Sequence, residues 1–277
     1  MYVGCYDSPV RDLGSYALRI RELALLGFRS VGLAIDLSEH PLDLAAEEHR
    51  DIKEIVGDYG LELRLHPDLA DIQRMAQQES IDLLECASRK MEPVIGWALS
   101  LEAKSICCDS IRSQFGETVA VFRRLISMTR GTELKFGVEN SQLGIINSPA
   151  KMNQAVERVD DPRMGLLVDV GHINTTVTQG LIDEGSPAEF LAGLSVPIWD
   201  THFHNNSGHS DGHLPVTDPA GTLDMEAVVS GLHDLGYGGP LNLESARKTW
   251  RGTMGAMEEA VKADRDYLEM LIARATG

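Results

Sequence analysis

Acidic and histidine side chains stand at the ends of successive apolar segments of this sequence. A charged group at the end of an apolar strand is costly to bury unless it has a partner. Carboxylates combined with an imidazole suit Mn2+, Mg2+, Co2+ or Zn2+ better than an ion that prefers thiolates. The pattern therefore predicts a divalent-metal site. The strand-end residues concerned are His66, Asp109, Glu139, Asp169, His202, His204 and Glu244.

Each of these residues, taken alone, also fits a structural role. Glu139 could pair with a neighbouring Lys or Arg, and Asp169 precedes Gly-His-Ile-Asn and could cap the start of a helix. A histidine at the end of a strand can equally have a structural role, with its ring nitrogens in hydrogen bonds. The coincidence over six successive strands favours the metal site, because none of the structural roles requires the residues to converge.

A histidine-rich segment, THFHNNSGHSDGHLPVTDPAGTLD, follows the seventh apolar segment. His202 and His204 alternate along the predicted strand and therefore share one face. Asp211 and His213 are spaced D-x-H, close enough to contact one ion or one substrate. We expect His209 to be solvated.

Short apolar segments alternate with long amphipathic segments, which predicts βα units and a parallel sheet. No G-x-G-x-x-G loop follows the first strand, so a dinucleotide-binding open sheet is disfavoured. We therefore expect an α/β protein with one (β/α)8 TIM barrel domain over residues 1–277, whose strand ends meet at one mouth. The predicted strands are Tyr2–Tyr6, Ser30–Ile35, Leu61–His66, Lys104–Cys108, Leu134–Glu139, Met164–Asp169, Ile198–His204 and Leu241–Glu244. The predicted helices are Tyr16–Leu26, Ala45–Tyr59, Ile81–Leu101, Glu117–Thr129, Pro149–Val159, Met225–Leu235 and Met254–Ala273, with another between Gly171 and Leu194 that is broken near Gly185–Pro187.

The composition narrows the partners and the compartment. Asp and Glu number 42 against 25 Lys and Arg, for a net charge of −17. This field repels phosphate backbones, so we expect no nucleic acid partner. There is no apolar run long enough for a bilayer and no signal-peptide pattern, so we expect a cytoplasmic protein without a membrane partner. The cysteines are expected to be buried and unpaired.

The motifs GVEN, LLVDVGHIN, THFHNNSGHSDGHLPVTDPAGTLD and LNLES resemble those of the xylose isomerase-like barrel superfamily, and the strand order is similar over the whole chain. That superfamily contains sugar isomerases and epimerases, dehydratases and metal-dependent AP endonucleases. The metal ligands implied by the resemblance are Glu139, Asp169, His202 and Glu244. Residues implied for a second metal or for substrate are His172, Asp211, His213, His66, His204, Asn205 and Arg247.

The sequence departs from the superfamily pattern at two places. The endonuclease branch has a histidine after the fourth strand, where this chain has Asp109, so a three-zinc site is not implied. The resemblance leaves open a site for a second ion, formed by His172, Asp211 and His213. The ketose epimerases carry an arginine in the loop after the seventh strand, and this loop has none. We expect Arg247, just after Glu244, to bind an anion in place of that arginine.

The resemblance implies a divalent-metal-dependent isomerase or epimerase of carbohydrate metabolism, acting on a small polyhydroxylated substrate such as a sugar, sugar phosphate or cyclitol. Glu139 and Glu244 would exchange an α-proton through a metal-stabilised enediolate. The alternatives are a dehydratase that expels a β-hydroxyl, an AP-endonuclease-like hydrolase, and a barrel that binds metal or sugar without catalysis. Barrels of this superfamily often form dimers, so the resemblance also implies a homodimer.

Overall fold

The structure is a computed structural model that describes residues 1–37, 46–111, 114–142, 144–246 and 254–277. The strands are β1 (Tyr2–Tyr6), β2 (Ser30–Ile35), β3 (Glu62–Pro67), β4 (Ser105–Cys108), β5 (Lys135–Glu139), β6 (Met164–Asp169), β7 (Ile198–Phe203) and β8 (Pro240–Leu243). The helices are α1 (Tyr16–Leu25), α2 (Ala46–Tyr59), α3 (Ile72–Glu79), α4 (Leu83–Ser100), α5 (Phe115–Met128), α6 (Pro149–Val159), α7 (Val170–Thr178), α8 (Pro187–Ala192), α9 (Met225–Asp234) and α10 (Met254–Thr276).

The strands form a closed parallel barrel in chain order, with β1 paired to both β2 and β8. Strands such as β6 are buried along their whole length, because helices cover the outside and side chains fill the inside. The chain is therefore a (β/α)8 barrel, as the alternation of segments predicts. All carboxyl ends of the strands open on one mouth, where active sites of this fold lie.

Two parts of the helical layer differ from the sequence prediction. The short helix α3 was not expected; it ends where Ser80 adopts a left-handed conformation, just before α4 begins. The region after β6 contains two helices, and the break begins earlier than the predicted Gly185–Pro187. Gly180 closes α7 with φ +63°, and the amide of Leu181 bonds back to Thr176, so the helix ends at Thr178, seven residues before Gly185.

A bulge in β7 sets which of its side chains face the barrel interior. Leu166 pairs with Ile198 and Leu167 pairs with Asp200, so Trp199 is the extra residue on β7. An extra residue reverses the alternation of side chains beyond it. The bulge thus precedes the stretch that delivers His202 to the mouth.

The barrel interior below the mouth is polar. Tyr6, at the end of β1, donates its hydroxyl to the buried carboxylate of Asp200 over 2.9 Å. Arg64 in β3 bonds to the hydroxyls of Ser30 and Ser105. These hydrogen bonds satisfy groups that would otherwise be costly to bury.

Two further expectations concern the cysteines and the membrane. Cys5, Cys86, Cys107 and Cys108 are buried and free, as the sequence predicts. Among the described helices, none combines the length and the apolar character needed to cross a bilayer.

Candidate metal centre

Four side chains, one from the end of each of β5 to β8, converge at the mouth. We call Glu139, Asp169, His202 and Glu244 the central set. Nδ1 of His202 lies 3.2 Å from Oε1 of Glu139 and 3.1 Å from Oε2 of Glu244. The same nitrogen lies 3.6 Å from Oδ2 of Asp169. The barrel therefore brings together the four residues that the family resemblance implies as ligands.

A second group of side chains lies beside the central set, around Asp211. Oδ2 of Asp211 is 3.3 Å from Nε2 of His172 and 3.1 Å from Nε2 of His213. Nε2 of His204 is 3.5 Å from the other oxygen of Asp211 and 3.3 Å from Asp169. We call His172, Asp211 and His213 the outer set, and His204 lies between it and Asp169.

The histidines of the outer set have their ring orientation fixed by the backbone. Nδ1 of His172 lies 2.8 Å from the carbonyl of Asn140, and Nδ1 of His213 lies 2.9 Å from the carbonyl of Glu244. Because a carbonyl only accepts, each Nδ1 is the donor. In the neutral ring this leaves a lone pair on Nε2, directed at Asp211, which is how metal-binding histidines are usually held.

A third group meets the central set at Glu139. Nε2 of His66 lies 3.5 Å from Oε2 of Glu139 and 3.5 Å from Oδ2 of Asp109. The opposite oxygen of Glu139 is the one beside His202. Glu139 thus presents one oxygen to the central set and one to His66 and Asp109, so its two oxygens face different groups of candidate ligands.

Asp169 serves in a helix cap and in the central set at once. Its Oδ1 accepts the amide of His172 over 2.6 Å and so caps the start of α7. Its Oδ2 faces His202 and His204. The capping role proposed from the sequence and the place among the ligands do not exclude each other, because the carboxylate has two oxygens.

The histidine-rich loop after β7 is folded back over the mouth. Asn205 and Leu214 exchange both backbone hydrogen bonds, at 2.8 and 2.7 Å, which closes the loop between them. Within it, His213 has a left-handed backbone (φ +45°), a costly conformation for a residue other than glycine. This strained turn directs the ring of His213 toward Asp211.

Helix α10 fastens the end of this loop. The buried carboxylate of Asp264 accepts the backbone amides of Val216 and Thr217, and also the hydroxyl of Thr217. These bonds order the backbone just beyond the D-x-H pair. The outer set therefore depends on contacts between a loop and a helix far along the chain.

Carboxylates hold protons on the histidines when no cation is bound. Burial lowers the pKa of His66, but the hydrogen bond with Asp109 and the charge of Glu139 outweigh it and raise the pKa to about 9. Burial likewise opposes charge on His213, yet the contact with Asp211 raises its pKa to about 9. A bound cation would replace these protons.

The two glutamates of the central set differ in acidity. Burial raises the pKa of the Glu139 carboxyl above its usual range, and the charge of His202 only partly offsets this. Burial also disfavours ionisation of Glu244, but the charge of His202 and the contact with it lower the pKa of Glu244 to about 2. Two carboxylates of unequal acidity therefore flank one imidazole.

The donor set fits a divalent cation. Two buried carboxylate oxygens of these groups, Oδ1 of Asp211 and Oε2 of Glu244, make no hydrogen bond within the described residues. Oε2 of Glu244 lies 3.1 Å from Nδ1 of His202 without the geometry of a hydrogen bond, and the same nitrogen lies within 3.6 Å of Glu139 and Asp169. Oxygen donors with one or two imidazoles are typical of Mn2+, Mg2+, Co2+ and Zn2+ sites.

The remaining sequence-predicted site residues lie apart from these groups. The amide oxygen of Asn205 accepts the backbone amides of Asn206 and Leu223, so this side chain holds the loop. His209 is exposed, as expected. Arg247 lies outside the described residues.

Two contributing residues are not revealed by the strand-end pattern. Asn140 follows Glu139 in the GVEN motif and bonds to Asp169 and His172. The ring of Tyr6 packs edge-to-face on His202, with centroids 4.4 Å apart. Neither residue is charged at neutral pH, and each acts through tertiary contacts, so only the position of Asn140 beside a strand-end glutamate could have indicated it.

Comparison with known proteins places the chain in a family. The profile of the xylose isomerase-like TIM barrel family matches residues 20–271, so the chain belongs to that family. The uncharacterized protein MJ1311 of Methanocaldococcus jannaschii is 23% identical over 236 residues, which cover 77% of this chain and 72% of that protein. Proteins of this superfamily include isomerases, dehydratases and endonucleases.

Solved structures share the fold over nearly the whole chain. A candidate xylose isomerase from Rhodospirillum rubrum matches with a TM-score of 0.74 at 16% identity, covering 98% of this chain and 99% of that one. The IOLI protein, whose crystal structure contains a bound zinc atom, matches with a TM-score of 0.70 at 15% identity and 99% coverage of both chains. At these identities the similarity establishes the barrel and leaves the reaction open.

Proposed function

We propose that this protein is a divalent-metal-dependent isomerase or epimerase of a small polyhydroxylated carbonyl compound, such as a sugar, a sugar phosphate or a cyclitol. The observation that carries the proposal is the placement of Glu139 and Glu244 beside one nitrogen of His202, 3.2 and 3.1 Å from its Nδ1. Carboxylates at such a centre can remove a proton from carbon and return it.

The residues divide into those that hold a cation and those that move a proton. Glu139, Asp169, His202 and Glu244 would hold the cation, which when bound supplies Lewis acidity to a substrate carbonyl and the adjacent hydroxyl. A carboxylate oxygen of Glu139 or Glu244 accepts the α-proton and returns it. Return to the opposite face gives an epimer, and return to the neighbouring carbon gives the aldose–ketose isomer.

The two glutamates differ in acidity in the metal-free protein. Burial raises the pKa of Glu139, whereas the charge of His202 lowers the pKa of Glu244 to about 2. A bound cation would displace the proton of His202, so this difference does not fix which glutamate acts first. We assign removal and return of the α-proton to Glu139 and Glu244 together.

The test is deuterium exchange into a panel of ketoses, aldoses and keto-cyclitols in D2O with the Mn2+-loaded protein, followed by proton NMR. Wild type is expected to exchange one α-proton of its substrate. Glu139→Gln is expected to fold normally and to exchange the α-proton at least about 100-fold more slowly, because a general base usually contributes that much to the rate. Wild-type exchange rates in both Glu139→Gln and Glu244→Gln would contradict the assignment.

A second candidate function, phosphodiester hydrolysis, is favoured by the three adjoining groups of ligands. His204, which lies between Asp211 and Asp169, connects the outer set to the central set, and Glu139 connects the His66–Asp109 pair to it. Several cations held close together can activate water and clamp a phosphodiester. The net charge of −17 opposes binding of a polyanion, which makes this function the second choice.

Two measurements separate the candidates. An isomerase or epimerase is expected to exchange substrate protons and to leave an abasic-site DNA duplex intact. A hydrolase is expected to cleave that duplex in proportion to the number of bound cations and to show no exchange with the sugar panel.

A further inference from the structure

Asn140 lies one residue beyond the backbone pairing of β5 with β6. The last pair of that ladder is Glu139 with Leu167. Asn140 is almost fully buried, at 2% exposure, and its side chain reaches the backbone at the end of β6. It is thus next to a ligand of the central set without being a ligand itself.

The side-chain amide of Asn140 binds the backbone of Asp169 in the manner of a peptide group. Its Nδ2 donates to the carbonyl of Asp169 over 2.9 Å, and its Oδ1 accepts the amide of Asp169 over 2.8 Å. A primary amide offers both a donor and an acceptor, so it can satisfy both groups of one residue. The amide therefore ties the end of β5 to Asp169 of the central set, two residues beyond Leu167, the last partner in the ladder.

The backbone of Asn140 acts on the outer set as well. Its carbonyl accepts Nδ1 of His172 over 2.8 Å. His172 is also bound through its amide to Oδ1 of Asp169. Asn140, Asp169 and His172 consequently form a closed ring of hydrogen bonds in which the position of each residue depends on the other two.

We propose that Asn140 is a positioning residue that fixes Asp169 of the central set and His172 of the outer set relative to each other. This inference rests on the proposed metal-dependent function. Asp169 binds α7 through one oxygen and faces the central set with the other, so a shift of its backbone would move both groups. A residue that touches neither cation nor substrate would then govern the affinity of both groups of ligands for cations.

The test uses the full chain, stripped of metal, in three variants. Asn140→Ala removes both bonds to Asp169. Asn140→Asp keeps an acceptor for the amide of Asp169, removes the donor to its carbonyl and adds a negative charge. Asn153→Ala is the matched control, because Asn153 makes the same kind of pair, to the carbonyl of Gly193 and the amide of Ser195, remote from the ligands.

Two readouts are measured for each variant. The first is hydrogen–deuterium exchange of the Asp169 amide in metal-free protein, which reports the bond to Asn140 directly. The second is the affinity for Mn2+ by calorimetric titration. We expect Asn140→Ala to lose protection at Asp169 and to bind Mn2+ about 10- to 100-fold more weakly, the range found for residues that orient ligands.

Asn140→Asp distinguishes positioning from electrostatics and serves as the test if the alanine variant does not fold. A negative charge beside the cations would tighten binding if charge alone mattered, whereas loss of position weakens it. Asn153→Ala is expected to speed exchange at Ser195 and to leave the Mn2+ affinity unchanged.

The failures of the two proposals are distinguishable. If wild type binds Mn2+ and both Asn140 variants bind it as tightly, the role of Asn140 is overturned and the proposed function stands. If wild type binds no Mn2+, the proposed function is overturned, and the role of Asn140 with it, whatever the protection of Asp169.

Discussion

At the residue scale, protons and a metal ion would compete for the same side chains at the mouth. The pKa of His66 and that of His213 are raised to about 9 because carboxylates surround both rings. At neutral pH both histidines are therefore protonated in the metal-free protein. Cation binding requires unprotonated imidazole and must expel these protons.

The first prediction at this scale concerns the stability of the metal-free protein. Since the folded-state pKa of His66 and of His213 lies above the unfolded value of about 6.5, their stabilising contribution is complete below pH 6.5 and is lost as pH rises through 9. The melting temperature of stripped protein is expected to fall between pH 6.5 and 9. Calorimetric melting in chelator-treated buffers checks this, and replacing His66 and His213 by Asn should flatten the curve.

The affinity for cations should have the opposite pH dependence. Each proton expelled on binding makes the apparent affinity rise about tenfold per pH unit below the pKa of the group. Titration with Mn2+ under nitrogen at pH 6.5, 7.5 and 8.5 is expected to show tighter binding at each step. An affinity that is constant over this range would mean that the ion does not displace protons from these histidines.

At the scale of elements, most of the fold and much of the centre could be predicted from the sequence. The strands were predicted to within one residue at each end, because buried parallel strands read as continuous apolar runs. Glu139, Asp169 and Glu244 could be placed at one mouth because carboxyl ends of parallel strands in a barrel share a rim. Helix boundaries such as the end of α7 depend on single left-handed residues, which are harder to predict.

The orientation of the ligands could not be predicted. The direction of Nε2 in His172 is determined by a carbonyl 32 residues earlier in the chain, at Asn140. The placement of Asp211 and His213 depends on the bridge between Asn205 and Leu214. These are tertiary contacts between polar groups, and no periodicity in the sequence encodes them.

The start of α7 provides a prediction at the element scale. A Cβ added to Gly171 would lie 2.0 Å from Cε1 of His204, which leaves no room for any side chain. Gly171→Ala is expected to displace His204 from between Asp169 and Asp211, to destabilise the protein by about 1 to 3 kcal/mol, and to weaken cation binding. Chemical denaturation and Mn2+ titration measure the two effects.

Gly57→Ala is the matched control for this substitution. Gly57 lies in the exposed part of α2, and an added Cβ would meet nothing within 4 Å. Its replacement by alanine is expected to stabilise the protein by about 0.5 to 1 kcal/mol through helix propensity. An equal loss of stability in both variants would show that His204 is not responsible for the effect at Gly171.

At the scale of the whole molecule, the net charge of −17 and the acidic mouth act together. A strongly negative protein attracts divalent cations and repels polyanions. Five carboxylates meet at the mouth among the three groups of ligands; they are Asp109, Glu139, Asp169, Asp211 and Glu244. The charge pattern therefore favours a small substrate presented to bound metal over a nucleic acid laid across the rim.

We propose that Glu139, Asp169, His202 and Glu244 together bind one divalent cation at the barrel mouth. The most direct measurement is a crystal structure of the protein reloaded with Mn2+, with an anomalous difference map recorded for that ion. We predict a peak within bonding distance of all four side chains, which disappears when Asp169→Asn is crystallised in the same solution. A well-ordered mouth without a peak, or Mn2+ bound only elsewhere on the molecule, would show that these four residues do not form a cation site.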